Sequence, residues 1–248
     1  MNHTLKNKCA LVTGGSRGIG AAIVKRLAQE GAHVALTYTS SQKRADETVK
    51  AAQAHGVKAI AIKADSADAG AVVAAVAQTV KEFGGIDILV NNAGVLVVGP
   101  LDAFSLADFD RTLAINVRAV FVATQAAVKH MQDGGRIINV GSCNAERMPF
   151  PGGGVYAMSK SALVGLVKGL ARDLGGRGIT INNVQPGPID TEMNPASSEF
   201  AGMLRKQVLA LPRYGRAEEV AGLVAYLAGP EAGYVTGASL TIDGGFNA

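Results

Sequence analysis

The chain has 248 residues, of which 48% are hydrophobic and 18% charged, a balance that supports a sizeable core and excludes disorder. Its net charge of +4 comes from scattered Lys and Arg, with no Trp and 5% aromatic residues, which argues against a nucleic-acid face. No apolar run reaches the ~18–20 residues of a membrane span.

In chain order, the opening MNHTLKNKCALVTGG has no apolar segment of the secretory kind. With reduced thiols at Cys9 and Cys143, a cytoplasmic location is expected. The two cysteines have no metal-ligand spacing and the four histidines are scattered, so no metal site is expected. Cys9 reads as a small core residue, whereas Cys143, beside Ser142, reads as open to exposure. Strands are expected over Cys9–Thr13, His33–Tyr38, Lys58–Lys63, Ile86–Asn91, Arg136–Gly141, Ile179–Gln185 and Ser239–Ile242. CALVT, DILV and RIINV are apolar almost without alternation, which suits strands buried on both faces. Spacers such as Gly20–Glu30 and Gln42–His55 have the length of crossover helices. The alternation predicts an α/β protein: one doubly wound, seven-stranded parallel sheet with helices on both faces, a single domain over 1–248. The longer irregular stretch at about 186–211 reads as a functional loop.

The first strand runs into TGGSRGIG (Thr13–Gly20), with glycines at Gly14, Gly18 and Gly20 between a strand and an amphipathic helix. That is the context of a dinucleotide fingerprint, in which backbone approaches a pyrophosphate at a helix N-terminus. The usual third glycine is replaced, since position 23 is Ile. An NAD site usually places an acid about 20 residues further on. Here that place reads TYTSSQKR, with Thr39, Ser40, Ser41 and Lys43 and no acid before Asp46. With Arg17 in the glycine loop, hydroxyls plus cations suit a 2′-phosphate, so NADPH/NADP+ is favoured over NADH/NAD+. Later, VYAMSKSALVGL (Val155–Leu166) sets Tyr156 and Lys160 on one side of a helix. Alone, that pair is a weak signal.

Taken in order, TGGSRGIG, NNAG (Asn91–Gly94), Asn116, Gly141–Ser142, YAMSK (Tyr156–Lys160), PGPIDT (Pro186–Thr191) and VTGASLTIDGG (Val235–Gly245) resemble the classical short-chain dehydrogenase/reductase family across the whole chain. The resemblance implies a Rossmann fold and an NADPH-dependent reduction of a ketone or aldehyde, or the reverse oxidation. It implies catalytic roles for four residues. Tyr156 would be the general acid, and Lys160 would bind the nicotinamide ribose and lower the Tyr156 pKa. Ser142 would bond the substrate carbonyl, and Asn116 would hold a water linking Lys160 to solvent. It implies cofactor contacts from Gly14, Ser16, Arg17, Gly18, Ile19 and Gly20, from Thr39, Ser40 and Ser41, and from Asp65 and Ser66 at the adenine. It implies further contacts from Asn92, Ala93 and Gly94, from Tyr156 and Lys160, and from Pro186, Gly187, Ile189 and Thr191 toward the nicotinamide. A homotetramer is implied by the same likeness.

Two departures stand out. Ser142 precedes Tyr156 by 14 residues, one more than the family's commonest spacing, and Glu146 and Arg147 in that loop are expected to pair with each other or with solvent. The loop MQDGG (Met131–Gly135) lacks the basic cluster often carried by 3-oxoacyl-carrier-protein reductases, which argues against a carrier-protein partner; Arg172 and Arg177 remain as docking groups. SADAGAV, NAERMPF and VQPGPIDTEMNPA also resemble a subgroup of cyclic-di-GMP-binding biofilm dispersal mediators, so a nucleotide-binding regulatory protein on the same fold is the alternative function.

Overall fold

The computed structural model describes residues 4–248. Seven strands form one parallel sheet: β1 (Cys9–Val12), β2 (His33–Tyr38), β3 (Ala59–Lys63), β4 (Ile88–Asn91), β5 (Arg136–Val140), β6 (Thr180–Pro186) and β7 (Ser239–Ile242). Their order is β3-β2-β1-β4-β5-β6-β7. The order reverses between β1 and β4, the place where open α/β sheets bind ligands beyond the carboxyl ends of their strands. All seven strands fall where the apolar runs put them, with small shifts at their ends. β4 starts at Ile88 because the preceding Asp87 is engaged as a corner: its carboxylate accepts from the Cys9 N–H at 2.8 Å and its carbonyl from the Arg136 N–H at 2.8 Å.

The helices are α1 (Gly18–Gln29), α2 (Gln42–Gln53), α3 (Ala69–Phe83), α4 (Leu106–Leu113), α5 (Ala119–Val128), α6 (Gly154–Leu174), α7 (Glu199–Gln207) and α8 (Ala217–Ala228), with a π-helical stretch joining α4 to α5. Alternate strand residues serve opposite faces. Ala10, Val12, Val34, Leu36, Ile88, Val90 and Ile138 pack with Ile23, Leu27 and Val224 of α1 and α8. Leu11, Ala35, Leu89, Ile137 and Ile181 pack with Val76, Ala123 and Val167 of α3, α5 and α6. Because both faces are covered, the strands read as continuous apolar runs.

Caps fix several helix starts. Ser41, Asp68, Ser105 and Ser198 accept from backbone N–H groups of α2, α3, α4 and α7. α1 differs: Arg17 stands at its N-cap with extended backbone and gives no side-chain cap, which leaves the first N–H groups of that helix facing the sheet edge. Asn182 ties the C-terminal return to β6, donating to the Val235 carbonyl at 2.7 Å and accepting from the Ala238 N–H at 3.1 Å.

The stretch 186–211 is shorter on irregular structure than its sequence suggests, because α7 lies within it. Leu204 and Ala201 of α7 bury against Cys143, Leu209, Tyr214 and Phe246. Leu27 is fully buried between α1 and the sheet. Leu27→Ala is expected to cost about 2–5 kcal/mol, read as a lowered guanidinium midpoint; an unchanged midpoint would contradict the packing described.

Candidate active site

The glycine loop is built by close backbone approach. Gly14 and Gly18 have φ of 65° and 52°, in the left-handed region that favours glycine. A Cβ on Gly20 would lie 2.3 Å from the Gly14 carbonyl oxygen and 2.5 Å from Asn92 Nδ2, so no side chain fits there. Asn92 spans the gap, its Nδ2 donating to the carbonyls of Thr13 and Gly14 at 2.9 and 3.0 Å. Thr13 answers through its hydroxyl, which accepts from the N–H groups of Asn92 and Ala93 at 3.0 and 3.1 Å. The ends of β1 and β4 are thereby joined, and a cleft of about 600 Å³ opens above them, within the range of small-molecule sites.

One end of the cleft holds Arg17, Thr39, Ser40, Ser41 and Arg44, and Asp65 with Ser66 also line it. The second cation is Arg44, whereas Lys43 is exposed and does not line the cleft. α2 begins at Gln42, and its first turn brings Arg44 back over the loop, where its N–H meets Ser41 Oγ. Placing that turn required the helix phase, which TSSQKR alone does not give.

At the other end, β5 delivers Ser142 and α6 delivers Tyr156 and Lys160. Ser142 Oγ accepts from the Asn144 N–H at 3.1 Å, and Ser142, Tyr156 and Lys160 all line the cleft. The extra loop residue is absorbed by a single helical turn over Cys143–Ala145 and by Gly152 at φ 85°. Lys160 is buried, its Nζ donating to the Val140 carbonyl at 3.0 Å and lying 5.8 Å from the Tyr156 ring centre. Burial alone brings the ammonium down to about 8. Burial also pushes the Tyr156 phenol up, with the neighbouring Ser142 hydroxyl pulling the other way. With Nζ turned to the Val140 carbonyl, desolvation is the larger effect on the phenol.

Asn116 is buried. Its side chain is engaged with protein, accepting from the Val95 N–H at 2.9 Å and donating to the Val95 carbonyl and Ser159 Oγ at 3.0 Å each. It lies behind the cleft, one layer from Lys160, and a Cβ on Gly94 would fall 3.3 Å from Lys160 Nζ and 3.4 Å from Asn116 Oδ1. Ile189, expected at the nicotinamide end, is buried at 5% exposure beside Gly215 and does not line the cleft; the chain direction at PGPID turns it inward. Thr191, Pro186 and Gly187 do line it, as do Ser16 and Ile19. Glu146 and Arg147 do not pair: Arg147 donates to the Phe246 carbonyl at 2.8 Å. Arg177 is tied to Asp133 at 3.1 Å and to the carbonyls of Val128 and Met131, which removes it as a free docking group. Leu96, Arg111, Ile115 and Glu192 also line the cleft and were not legible as site residues, because each reads as an ordinary helix or loop residue, whereas Met193 lines it from the loop the sequence marks as functional. Among the described residues no cluster of metal-ligating side chains occurs.

The donor set fits a dinucleotide phosphate. The cradle at Gly14, Gly18 and Gly20 is one that side chains would fill, the α1 N-terminus is uncapped, and two guanidinia stand beside three hydroxyls.

A family model described as enoyl-(acyl carrier protein) reductase matches residues 14–247. The chain is 65% identical to a short-chain dehydrogenase/reductase from Serratia marcescens, with a TM-score of 0.98 over 99% of this chain and 100% of that one. It is 56% identical to a short-chain dehydrogenase from Burkholderia cenocepacia J2315 solved in complex with NADP, with a TM-score of 0.97 and coverage of 99% and 100%. It is 51% identical over 241 residues to the cyclic-di-GMP-binding biofilm dispersal mediator protein of Escherichia coli K12, covering 97% of this chain and 98% of that protein.

Cys143 is not open to exposure beside Ser142. It is 2% exposed, and burial first, then the Asp243 charge, push its thiol up to about 12. Cys9 is raised too, mainly by burial. Iodoacetamide at pH 8 is expected to leave both thiols unmodified in the folded protein and to alkylate both after unfolding, counted by mass spectrometry; rapid labelling of the native protein would contradict this burial.

Proposed function

This chain belongs to the short-chain dehydrogenase/reductase family, and from that premise we propose that it is an NADPH-dependent carbonyl reductase. It converts a ketone or aldehyde to an alcohol, with the reverse oxidation open to the same groups. One observation carries the reading: Ser142, Tyr156 and Lys160 share the cleft that Arg17, Arg44 and the glycine cradle line.

The bound cofactor supplies the hydride. The chain binds, orients and protonates. Gly14, Gly18 and Gly20 leave room for a pyrophosphate at the start of α1, with Ser16, Ile19 and Thr191 alongside. Arg17 and Arg44, with Thr39, Ser40 and Ser41, take the 2′-phosphate, and Asp65 and Ser66 meet the adenine. Asn92, Ala93, Gly94, Pro186 and Gly187 wall the remainder. Tyr156 is the proton donor to the carbonyl oxygen, in the same cleft as Ser142 and Lys160. Ser142 offers a second hydrogen bond to that oxygen as negative charge develops. Lys160, an ammonium below about pH 8, favours the phenolate left after proton transfer. Asn116 is a positioning residue, clamping Val95 and Ser159 so that the segment after β4 stays against α6.

The cleft wall is partly apolar, with Leu96 and Met193 among its lining residues. The segment 186–211 forms its movable wall. A homotetramer in the cytoplasm completes the proposal; the exposed apolar side chains of Leu101, Leu106 and Phe121 around α4 and α5 support an assembly face. Among the described residues no helix is long and apolar enough to cross a membrane.

A second reading rests on the 51% identity to the Escherichia coli protein. A cyclic dinucleotide offers phosphodiesters to the same two arginines. Calorimetric titration with cyclic-di-GMP, alone and against NADPH, separates the two: displacement of NADPH favours the regulatory reading, and no heat removes it.

Tyr156→Phe is expected to lower turnover at least ~100-fold while leaving the NADPH dissociation constant within about twofold, read by NADPH absorbance and by fluorescence titration. Turnover retained in that variant would sink the proton-donor role. Arg17→Ala and Arg44→Ala are each expected to weaken NADPH roughly tenfold, as loss of a charge-assisted hydrogen bond does, with NADH affected much less. Equal losses for the two cofactors would reject the 2′-phosphate assignment.

A further inference from the structure

The two cleft guanidinia are already paired with an acid of the protein. Glu192 Oε2 forms an ion pair with Arg44 Nη1 and lies 3.9 Å from Arg17 Nη1. A single carboxylate oxygen therefore faces both cations. All three side chains are about half exposed and all three residues line the cleft.

Glu192 is held in that position by its backbone. It sits at the tip of a tight turn closed between Thr191 and Asn194, with the Asn194 N–H donating to the Thr191 carbonyl at 3.1 Å. The base of the turn is pinned at Asp190, whose N–H donates to the Gly215 carbonyl at 2.9 Å and whose Oδ1 accepts from Ala196 N–H at 2.8 Å. The Thr191 methyl lies 3.4 Å from where a Cβ on Gly18 would stand, so the turn rests on the glycine loop itself. Met193, the other tip residue, lines the cleft beside it. No acid follows β2, at the place where a carboxylate would select a ribose hydroxyl, until Asp46 on α2. The carboxylate that meets the cations comes instead from the other end of the chain.

We propose that Glu192 is an internal competitor that tempers the preference for a 2′-phosphorylated cofactor. It occupies the anion site of Arg17 and Arg44 in the free protein and is displaced only by a ligand carrying a 2′-phosphate. This rests on the NADPH reading above. The physical reason is charge. A phosphate carries about −1.5 to −2 at neutral pH and three acceptor oxygens, so it outcompetes one carboxylate for two guanidinia. A ribose hydroxyl carries no charge and leaves the ion pairs intact. Without Glu192, two like charges would face each other at the mouth of the cleft. With it, they stay arranged for an anion, and the turn at 191–194 is released when the phosphate arrives.

The test is calorimetric titration of 2′,5′-ADP and of ADP into wild type and Glu192→Gln. The substitution is isosteric and lies on an exposed turn, and a thermal melt checks that folding is kept. Glu192→Gln is expected to tighten 2′,5′-ADP about fivefold, the scale of losing two exposed ion pairs, and to change ADP less than twofold. Unchanged or weaker binding of 2′,5′-ADP overturns the inference. An equal gain for both ligands overturns it too, because that would be a general charge effect. If 2′,5′-ADP binds neither protein, the NADPH reading itself fails and the inference falls with it.

Discussion

The site depends on one close approach: the missing Cβ of Gly20, which lets the Gly14 carbonyl and the Asn92 amide occupy the same small space. Asn92 follows β4 and Gly14 follows β1, and these strands flank the point where the sheet order reverses. The bond between them sets the floor of the cleft. The uncapped start of α1, the turn at 191–194 that rests on Gly18, and the Gly94 corner over Lys160 all take their places from it. Any side chain at position 20 would push the loop out and separate both halves of the site.

Above that floor the chemistry is governed by burial. Lys160 is buried and Tyr156 half-buried, and desolvation moves each toward its neutral form. For the tyrosine, the neutral form is the one the proposed proton donor starts from. For the lysine, a value near 8 leaves the ammonium available at neutral pH. The other end of the cleft works oppositely: its two guanidinia are about half exposed and already paired with Glu192. One cleft thus joins a more buried end at Lys160 and Tyr156 to a half-exposed, charged end at Arg17 and Arg44.

The fold was legible because both faces of the sheet are covered, so that CALVT, DILV and RIINV carry no alternation to confuse with surface strands. The glycine loop and the YAMSK pair were legible because their chemistry tolerates few residue types at fixed spacing. What the sequence did not disclose depends on phase and direction. Arg44 rather than Lys43 faces the cleft because α2 starts at Gln42. Ile189 turns inward because the bridge to Gly215 fixes its strand direction. Asn116 reaches Val95 and Ser159, a pairing across 21 and 43 residues that no local pattern reports. Glu192 was invisible for the same reason: its partners lie at Arg17 and Arg44, and only the fold brings them together.

The central claim is that hydride passes from NADPH to a carbonyl carbon in this cleft. The most direct measurement uses NADPH carrying deuterium at both C4 positions, incubated with the purified protein and a panel of ketones, aldehydes and 3-oxo esters. Mass spectrometry then locates the label. The account predicts an alcohol product with one deuterium on its carbinol carbon. An alcohol formed without deuterium, or no alcohol from any member of the panel by a protein that binds NADPH tightly, would contradict it.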